Sequence, residues 1–356
     1  MRARVILIAM RLLICTQTVD LADPVMGFFH RWIEELAKHC ESVTVICLRE
    51  GEHDLPKNVR VLSLGKERGA SRLHYVLRFY SYLWHERKNY DAVFVHMNQE
   101  YVLLGGVLWR MLGKKVGMWR NHKSGSLSTY IAVWLSNDVF CTSRLSFTAR
   151  FAKSHIMPVG IDTDFFSRRT FVDRKTNSIL SLGRIAPVKN ISTLIDAVAL
   201  LRGRKISFTL DIYGDALPRD AAYMESLKRS VIKNRLDDVV TFYAGIPNAA
   251  TPEIYNTHEI FVNMSPNGLF DKTIFEAAAC ECVVVATSSD FAADADSRLV
   301  PKEISVAALA DTFEQVLKLS HAEKEKLGKD LRAVAESKHG LALLVERLMY
   351  IFNHGK

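Results

Sequence analysis

The sequence predicts an α/β protein built from two doubly wound parallel-sheet domains, and three observations lead there. Short, β-branched apolar runs alternate with longer amphipathic stretches along nearly the whole chain. Strict β/α alternation means parallel strands covered by helices on both faces. The alternation restarts after a charged, proline-free connector, Arg168–Thr176, which places a hinge at about residues 162–176. Finally, 356 residues suffice for two domains with full cores. The domains are expected at 1–165 and 166–339, with a ligand in a cleft between them.

Composition narrows the class. Apolar residues make up 49% and charged residues 24%, which is ordinary for a soluble globular chain. The net charge of +8 is uneven: residues 1–165 hold 22 Lys and Arg against 15 Asp and Glu. Such a basic half suits a phosphate-linked lipid, a membrane surface or nucleic acid, or is simply a solvated face. The six cysteines have no framework spacing. They read as reduced, mostly buried thiols of a cytoplasmic protein, located at the inner face of the membrane if the basic half meets lipid. Cys280-x-Cys282 has no nearby His or Cys pair to complete four ligands, so no metal site is expected.

Arg4–Cys15 is apolar, but it is too short to span a bilayer, Arg11 interrupts it, and no small-residue cleavage site follows. It reads as a buried first strand. MRLLICTQTVD from Met10 makes a normal opening by itself, and residues 1–9 then read as an extension. The loop Thr16–Gly27, carrying Asp20, leads into a helix Phe28–His39, where His30 is expected to be a half-buried helix histidine rather than a ligand contact. Strands follow at Ser42–Cys47 and Val59–Leu64. Arg72–Lys88 is a helix dense in aromatics and cations, the composition of a membrane-surface helix and equally of an ordinary packed one. Its aromatics and cations also suit single-stranded nucleic acid, but no RNA or DNA motif accompanies them. Strand Asp91–Val95 ends at His96, helix Tyr101–Leu112 follows, and strand Lys115–Trp119 ends in Arg120-Asn121-His122-Lys123. Asp138–Cys141 and His155–Met157 are the last strands of this half, with a helix opened by Ser143 between them.

In the second half the expected order is strand 178–182, helix 191–202, strand 206–212, helix 220–234, strand 239–243, helix 251–256 and strand 259–263. Helix 273–280, strand 283–286 and helix 305–318 follow, and an amphipathic helix at about Leu341–Phe352 ends the chain. Two stretches carry chemistry. Phe261–Thr287 reads as strand, loop, helix, strand; its Ser265-Pro266-Asn267-Gly268 turn feeds a helix start, where unpaired backbone N–H groups favour an anion. Glu276, one turn in, adds a carboxylate. In Ser178–Val198, Arg184 and Lys189 lie five apart on a strand-to-helix loop and can converge on one diphosphate. Two cations, a helix N-terminus and a hydroxyl-binding carboxylate suggest a nucleotide-linked substrate.

These residues carry a family resemblance. Gly183-Arg184-x-x-Pro187-x-Lys189, Tyr213-Gly214-Asp215, Gly245 and Glu276-Ala277-Ala278-Ala279-Cys280, followed by Val283-Val284-Val285-Ala286, resemble glycosyltransferase family 4, the retaining enzymes with the GT-B fold. Val159-Gly160-Ile161-Asp162 resembles the family's exit from its first domain. The likeness is specific over about residues 157–290. It implies that a nucleotide diphosphate sugar binds the second domain, with no cofactor and no metal. Arg184 and Lys189 would hold the phosphates; amides of Gly268, Leu269, Phe270 and Asp271 would support the same charge, with Lys272 an extra phosphate contact. Glu276 would take the ribose hydroxyls, and Gly183, Gly214, Asp215 and Ile246 would flank the nucleotide. A His after the strand at 115–119 contacts the donor sugar in this family, which points to His122, and His96 is a weaker version of the same idea. The acceptor, a glycan or lipid-linked carbohydrate, would enter near Asp20 and His122, and helix 340–356 would pack back on the first domain.

The chain departs from the pattern in two places. Many relatives carry a Glu eight residues before Glu276, where this chain has Gly268, and Asp271 is expected to supply the missing carboxylate. Cys280-Glu281-Cys282 replaces a glycine-containing turn. The alternatives are a partner subunit without activity, which Gly268 makes conceivable, and a sugar-nucleotide epimerase or phosphorylase on the same fold.

Overall fold

A computed structural model describes residues 10–268 and 271–355. The chain divides into two compact units: Met1–Gly160 (described from Met10) with Pro247–Ala249 and Leu341–Lys356, and Ile161–Ile246 with Ala250–Gly340. The division, between Gly160 and Ile161, falls just before the hinge expected at 162–176.

The first unit runs β1 (Arg11–Val19), α1 (Phe28–Lys38), β2 (Ser42–Glu50), β3 (Val59–Ser63), α2 (Arg72–Glu86), β4 (Ala92–His96), α3 (Gln99–Met111), β5 (Lys115–Trp119), α4 (Leu127–Leu135), β6 (Asp138–Cys141) and β7 (Ser154–Ile156). All seven strands are parallel, in the order β3-β2-β1-β4-β5-β6-β7. Parallel strands between two helix layers are apolar on both faces, and β4, AVFVH, is buried throughout. One face packs with α1 around Phe29, Trp32 and Leu36. The other packs with α2, α3 and α4 around Phe79, Leu83, Trp109 and Ala132. Between β6 and β7 the structure has only a 3-10 turn, Phe147–Arg150, in place of the helix expected from Ser143.

The second unit runs β8 (Lys175–Leu182), α5 (Ile191–Gly203), β9 (Thr209–Tyr213), α6 (Ala221–Lys233), β10 (Val240–Tyr243), α7 (Thr251–Thr257), β11 (His258–Asn263), α8 (Lys272–Ala279), β12 (Val283–Ala286), α9 (Ser289–Ala292), α10 (Val306–Leu317) and α11 (His321–His339). Its parallel sheet is ordered β10-β9-β8-β11-β12. The last helix, α12 (Leu341–His354), belongs to the first unit, where Leu344, Val345, Leu348 and Phe352 join the core of α1 and β1. Gly160 sits in that core with φ +76°. A Cβ there would lie 2.4 Å from Leu344 and 2.6 Å from Trp32, so only glycine fits while Trp32 Nε1 donates to its carbonyl at 2.9 Å.

In each sheet the strand order reverses once, between β1 and β4 and between β8 and β11. Open α/β sheets bind ligands at such switch points, outside the carboxyl ends of the strands. The loops after β8 and β11 carry the residues singled out from the sequence.

Candidate functional site

The loop after β8 begins at Gly183 and ends in the 3-10 turn Pro187–Lys189, which Asn190 joins to α5 in a left-handed conformation. Gly183 lies against Gly214, the residue after β9. Gly183 N donates to Tyr213 O at 3.0 Å, and a Cβ on Gly214 would approach Gly183 O to 1.9 Å. Only glycine permits this approach, which packs the β8 and β9 loops together. Ile185 N then donates to Asp215 O at 3.0 Å, and Asp215 Oδ1 accepts from Gly245 N at 3.1 Å. Gly183, Gly214 and Asp215 are thus neighbours in one loop cluster, with Ile246 one residue beyond Gly245.

The loop after β11 meets the first loop through Lys189. Its ammonium pairs with Asp271 and donates to Ser265 Oγ at 3.0 Å. Asp271 Oδ2 also accepts from Asn263 Nδ2 at 3.0 Å and Ser265 Oγ at 3.1 Å, while Asn190 Nδ2 donates to Met264 O at 2.9 Å. Burial alone would raise the Asp271 carboxyl, but the Lys189 ammonium and these hydrogen bonds hold it below the usual carboxylate range. Asp271 was expected to stand in for the missing Glu at Gly268; in the structure it is the counter-charge of Lys189. A largely buried ammonium needs such a partner. Arg184 differs. It is exposed, with no hydrogen bond or ion pair among the described residues. A small hollow at these strand ends is lined by Leu182, Gly183, Arg184, Lys189, Asn263 and Met264.

Glu276 lies on the second turn of α8, 4% exposed, where Tyr255 on α7 donates to its Oε2 at 3.1 Å. Lys272, one turn earlier, is half-buried; burial pushes its ammonium down to about 7, against the attraction of Glu276. Two arginines close the far end of the helix. Arg174 donates to Cys280 O at 2.6 Å and Glu281 O at 2.8 Å, and Arg332 donates to Ala279 O. Cations on the last carbonyls complement the helix dipole and fix the helix that carries Glu276. The non-glycine turn Cys280-Glu281-Cys282 is accommodated by Glu281 itself, at φ +60°. Gly268 occupies the turn before α8 at φ +82°, and Leu269 and Phe270 lie outside the described residues.

His122 belongs to the first unit. It is exposed beyond β5, with Nδ1 3.1 Å from Ser124 N and 3.0 Å from Ser124 Oγ, and its carbonyl accepts from Phe147 N at 2.8 Å. The same loop is pinned by Arg120, whose Nη2 donates to Ser124 O at 3.1 Å and whose carbonyl accepts from Thr148 Oγ1 at 2.9 Å. Asp20, after β1, is buried, accepts from Ala22 N at 3.0 Å and lies 3.7 Å from Arg49. His30 is a core residue at 4% exposure whose Nε2 accepts from Asp54 N at 3.1 Å. His96 is buried too, stacked on Phe29 at 3.9 Å, so the strand-end role considered for it is corrected to packing.

Sequence reasoning missed Asn263, Ser265 and Tyr255. Polar Asn263 and Ser265 at the end of the apolar strand β11 were a readable signal. Tyr255, nine residues before Met264 and on another helix, gave none.

Comparison with known proteins agrees with this architecture. The family model described as glycosyl transferases group 1 matches residues 162–334, just under half the chain. D-inositol 3-phosphate glycosyltransferase of Pseudarthrobacter chlorophenolicus is 32% identical over 152 residues, covering 39% of this chain and 35% of that protein. The chain thus spans about a third of the curated relative it matches. Among solved structures, Anabaena HepE in complex with UDP and glucose superposes with a TM-score of 0.76 at 16% identity, covering 97% of this chain and 99% of that one. Sucrose-phosphate synthase from Thermosynechococcus elongatus gives 0.76 at 16% identity, covering 96% and 98%. The chain has the GT-B fold, and its residues 162–334 match the glycosyl transferases group 1 model.

Proposed function

We propose that the protein is a retaining, metal-independent glycosyltransferase that moves a hexose from a nucleotide diphosphate sugar to a glycan or lipid-linked acceptor. The observation that supports this most is the meeting of the β8 and β11 loops at the switch point. There Lys189 crosses between the loops, Arg184 stands exposed beside it, and Glu276 is buried on the helix that follows. Arg184 and Lys189, joined by Lys272, meet the charge that develops as the diphosphate leaves; preorganised cations are worth most where charge appears in the transition state. This is the work a metal would otherwise do. Glu276, held by Tyr255 through one oxygen, keeps acceptor capacity for ribose hydroxyls. Asp215 and Ile246 flank the nucleotide, and Asp20 and His122 serve the acceptor and the donor sugar. Attack on the face from which the diphosphate departs retains configuration, with the leaving phosphate taking the acceptor proton. Uridine is the first base to try, because HepE and its ligand supply that precedent. The basic first unit accords with a cytoplasmic protein working at the inner membrane face.

The test is ligand-induced thermal stabilisation with UDP, GDP, ADP and their sugar conjugates, on wild type and Glu276→Gln. A selective ligand raises the melting temperature by mass action. One nucleotide should stand out and lose its effect in the variant. No shift with any of them sinks the reading and favours a partner subunit without activity. Turnover unaffected by chelator, and a product of retained configuration by NMR, are the expected further results.

A further inference from the structure

The helices α2, α3 and α4 cover one face of the first sheet, and their inward sides fill the core around Phe79, Trp109 and Ala132. A helix covering a sheet normally shows one apolar stripe, with polar residues opposite. These three have a second stripe, facing out. On α2, Leu73, Leu77, Tyr80 and Trp84 repeat at helical spacing and are all exposed. On α3, Val107 and Met111, the latter 80% exposed, do the same. On α4, Leu127, Tyr130, Ile131 and Trp134 form the third stripe, with Trp134 63% exposed. The helices are neighbours: α3 packs on α4, and Tyr80 OH donates to Leu104 O at 2.9 Å, tying α2 to α3. Side by side, the stripes make one broad apolar face, and such faces on soluble proteins mark contacts.

The charge around it is one-sided. Residues 66–153 hold 14 Lys and Arg against 5 Asp and Glu, a surplus of 9 where the whole chain has 8. Cations stand directly on the exposed indoles, Arg87 at 4.2 Å from the Trp84 ring and Arg110 at 4.8 Å from the Trp134 ring. Aliphatic side chains, Trp and Tyr with basic residues at their rim are what a helix lying in a lipid interface presents. A nucleic-acid groove would need the cations without the leucine and isoleucine stripes. No helix among the described residues is long and apolar enough to cross a membrane, so contact would be at the surface.

We infer that the outer face of α2, α3 and α4 docks on an anionic lipid bilayer, its apolar stripes entering the interface and its cations meeting the headgroups. The loop that precedes α4 carries His122, so the docked face ends beside the residue proposed to serve the reacting sugar. A lipid-linked acceptor could present its head there without leaving the bilayer. Only that last step rests on the transferase reading. Docking itself is measured without donor or turnover, so the two can fail separately.

The experiment is flotation of the full chain with vesicles of phosphatidylcholine, or of phosphatidylcholine mixed with phosphatidylglycerol, at low and high salt. The protein should float with the anionic vesicles only and be released by salt. Trp84→Ser/Trp134→Ser should lower vesicle affinity by about ten-fold, and Arg110→Gln by about five-fold, the weight of one cation near the surface. Melting temperature should be unchanged in both variants. No flotation with anionic vesicles overturns the inference, as does equal flotation of the tryptophan variant. A wild-type dimer that becomes monomeric in that variant would assign the face to a second copy. Retention on heparin without flotation would assign the charge to a polyanion; either result overturns lipid docking.

Discussion

Replacing Asp271 by asparagine removes the one negative charge from a cluster in which Lys189, Ser265 and Asn263 all reach Oδ2. The side chains of Lys189 and Asp271 are 26% and 20% exposed. That sets the pair between surface ion pairs, worth about 0–1 kcal/mol, and fully buried ones, where losing one partner costs about 3–5 kcal/mol. Asp271→Asn should therefore destabilise the fold by about 2 kcal/mol. Urea unfolding at neutral pH of Asp271→Asn, Lys189→Met and the double variant measures the coupling directly. Because Asp271→Asn leaves an ammonium without its counter-charge, the double variant should be no worse than the single one. A coupling below about 0.5 kcal/mol, the scatter expected of independent sites, would refute the reasoning.

The pH dependence has a definite sign. The Asp271 carboxyl is held below its usual range. Its contribution is therefore complete above the unfolded carboxylate value of about 3.9 and is lost as pH falls through the lower folded one. Asp271→Asn should flatten that part of the acid limb. Ligand binding separates the two residues further. If Lys189 meets the diphosphate, Lys189→Met should weaken UDP by about ten-fold or more, the loss of one charge-assisted hydrogen bond, while Asp271→Asn, which removes a competing anion, should not.

Three further outcomes are expected. Lys324 pairs with Glu259 at 2.8 Å, each about a tenth exposed, and also donates to Asn177 Oδ1 at 3.0 Å. Lys324→Met should cost about 3 kcal/mol by leaving that carboxylate unpaired, and a loss under about 1 kcal/mol in denaturant unfolding would count against it. Glu281 adopts φ +60°, so Glu281→Gly should stabilise by about 1 kcal/mol by relieving a left-handed side chain; a lower denaturation midpoint would contradict this. Lys272 is pushed down to about 7, so folding favours its neutral form, and stability should rise with pH from there towards the unfolded lysine value of about 10.4. Lys272→Met should abolish that rise, and a diphosphate beside Lys272 should be bound with proton uptake, which calorimetry in buffers of differing ionisation heat would detect.

The fold was legible because parallel strands buried on both faces announce themselves as apolar runs. Such strands as β4, β5, β11 and β12 begin and end within a residue or two of their expected limits. Three helices were not, the shortest being the four-residue α9. α4 (LSTYIAVWL) carries apolar residues on both faces, so its sequence has no amphipathic period to read. α11 is the opposite, polar nearly all round, with only Lys324, Leu327, Gly328, Leu331 and Ala335 buried. Its capping box, Ser320 with Glu323, was the local signal available. The helix expected from Ser143 failed because Phe147, Thr148 and Phe151 are used for packing a tight turn against the His122 loop.

The candidate site divides along the same line. Glycines, cations and carboxylates near the strand ends could be read: Gly183, Arg184, Lys189 and Gly214 stand in the loops after β8 and β9, and Glu276 one turn into α8. What the sequence did not contain is which group each would hold. Lys189 reads as a bare phosphate cation until the loop after β11 brings Asp271 to it, and Glu276 reads as a hydroxyl-binding carboxylate with no partner of its own until α7 lays Tyr255 against it. Both partners arrive across the fold, from segments 82 and 21 residues away. Their effect is the same in kind. Each fixes a charged side chain before any ligand is present, leaving Arg184 as the exposed cation of the cluster. If the proposed diphosphate binds here, it meets Lys189 already oriented by Asp271 and Arg184 exposed to solvent.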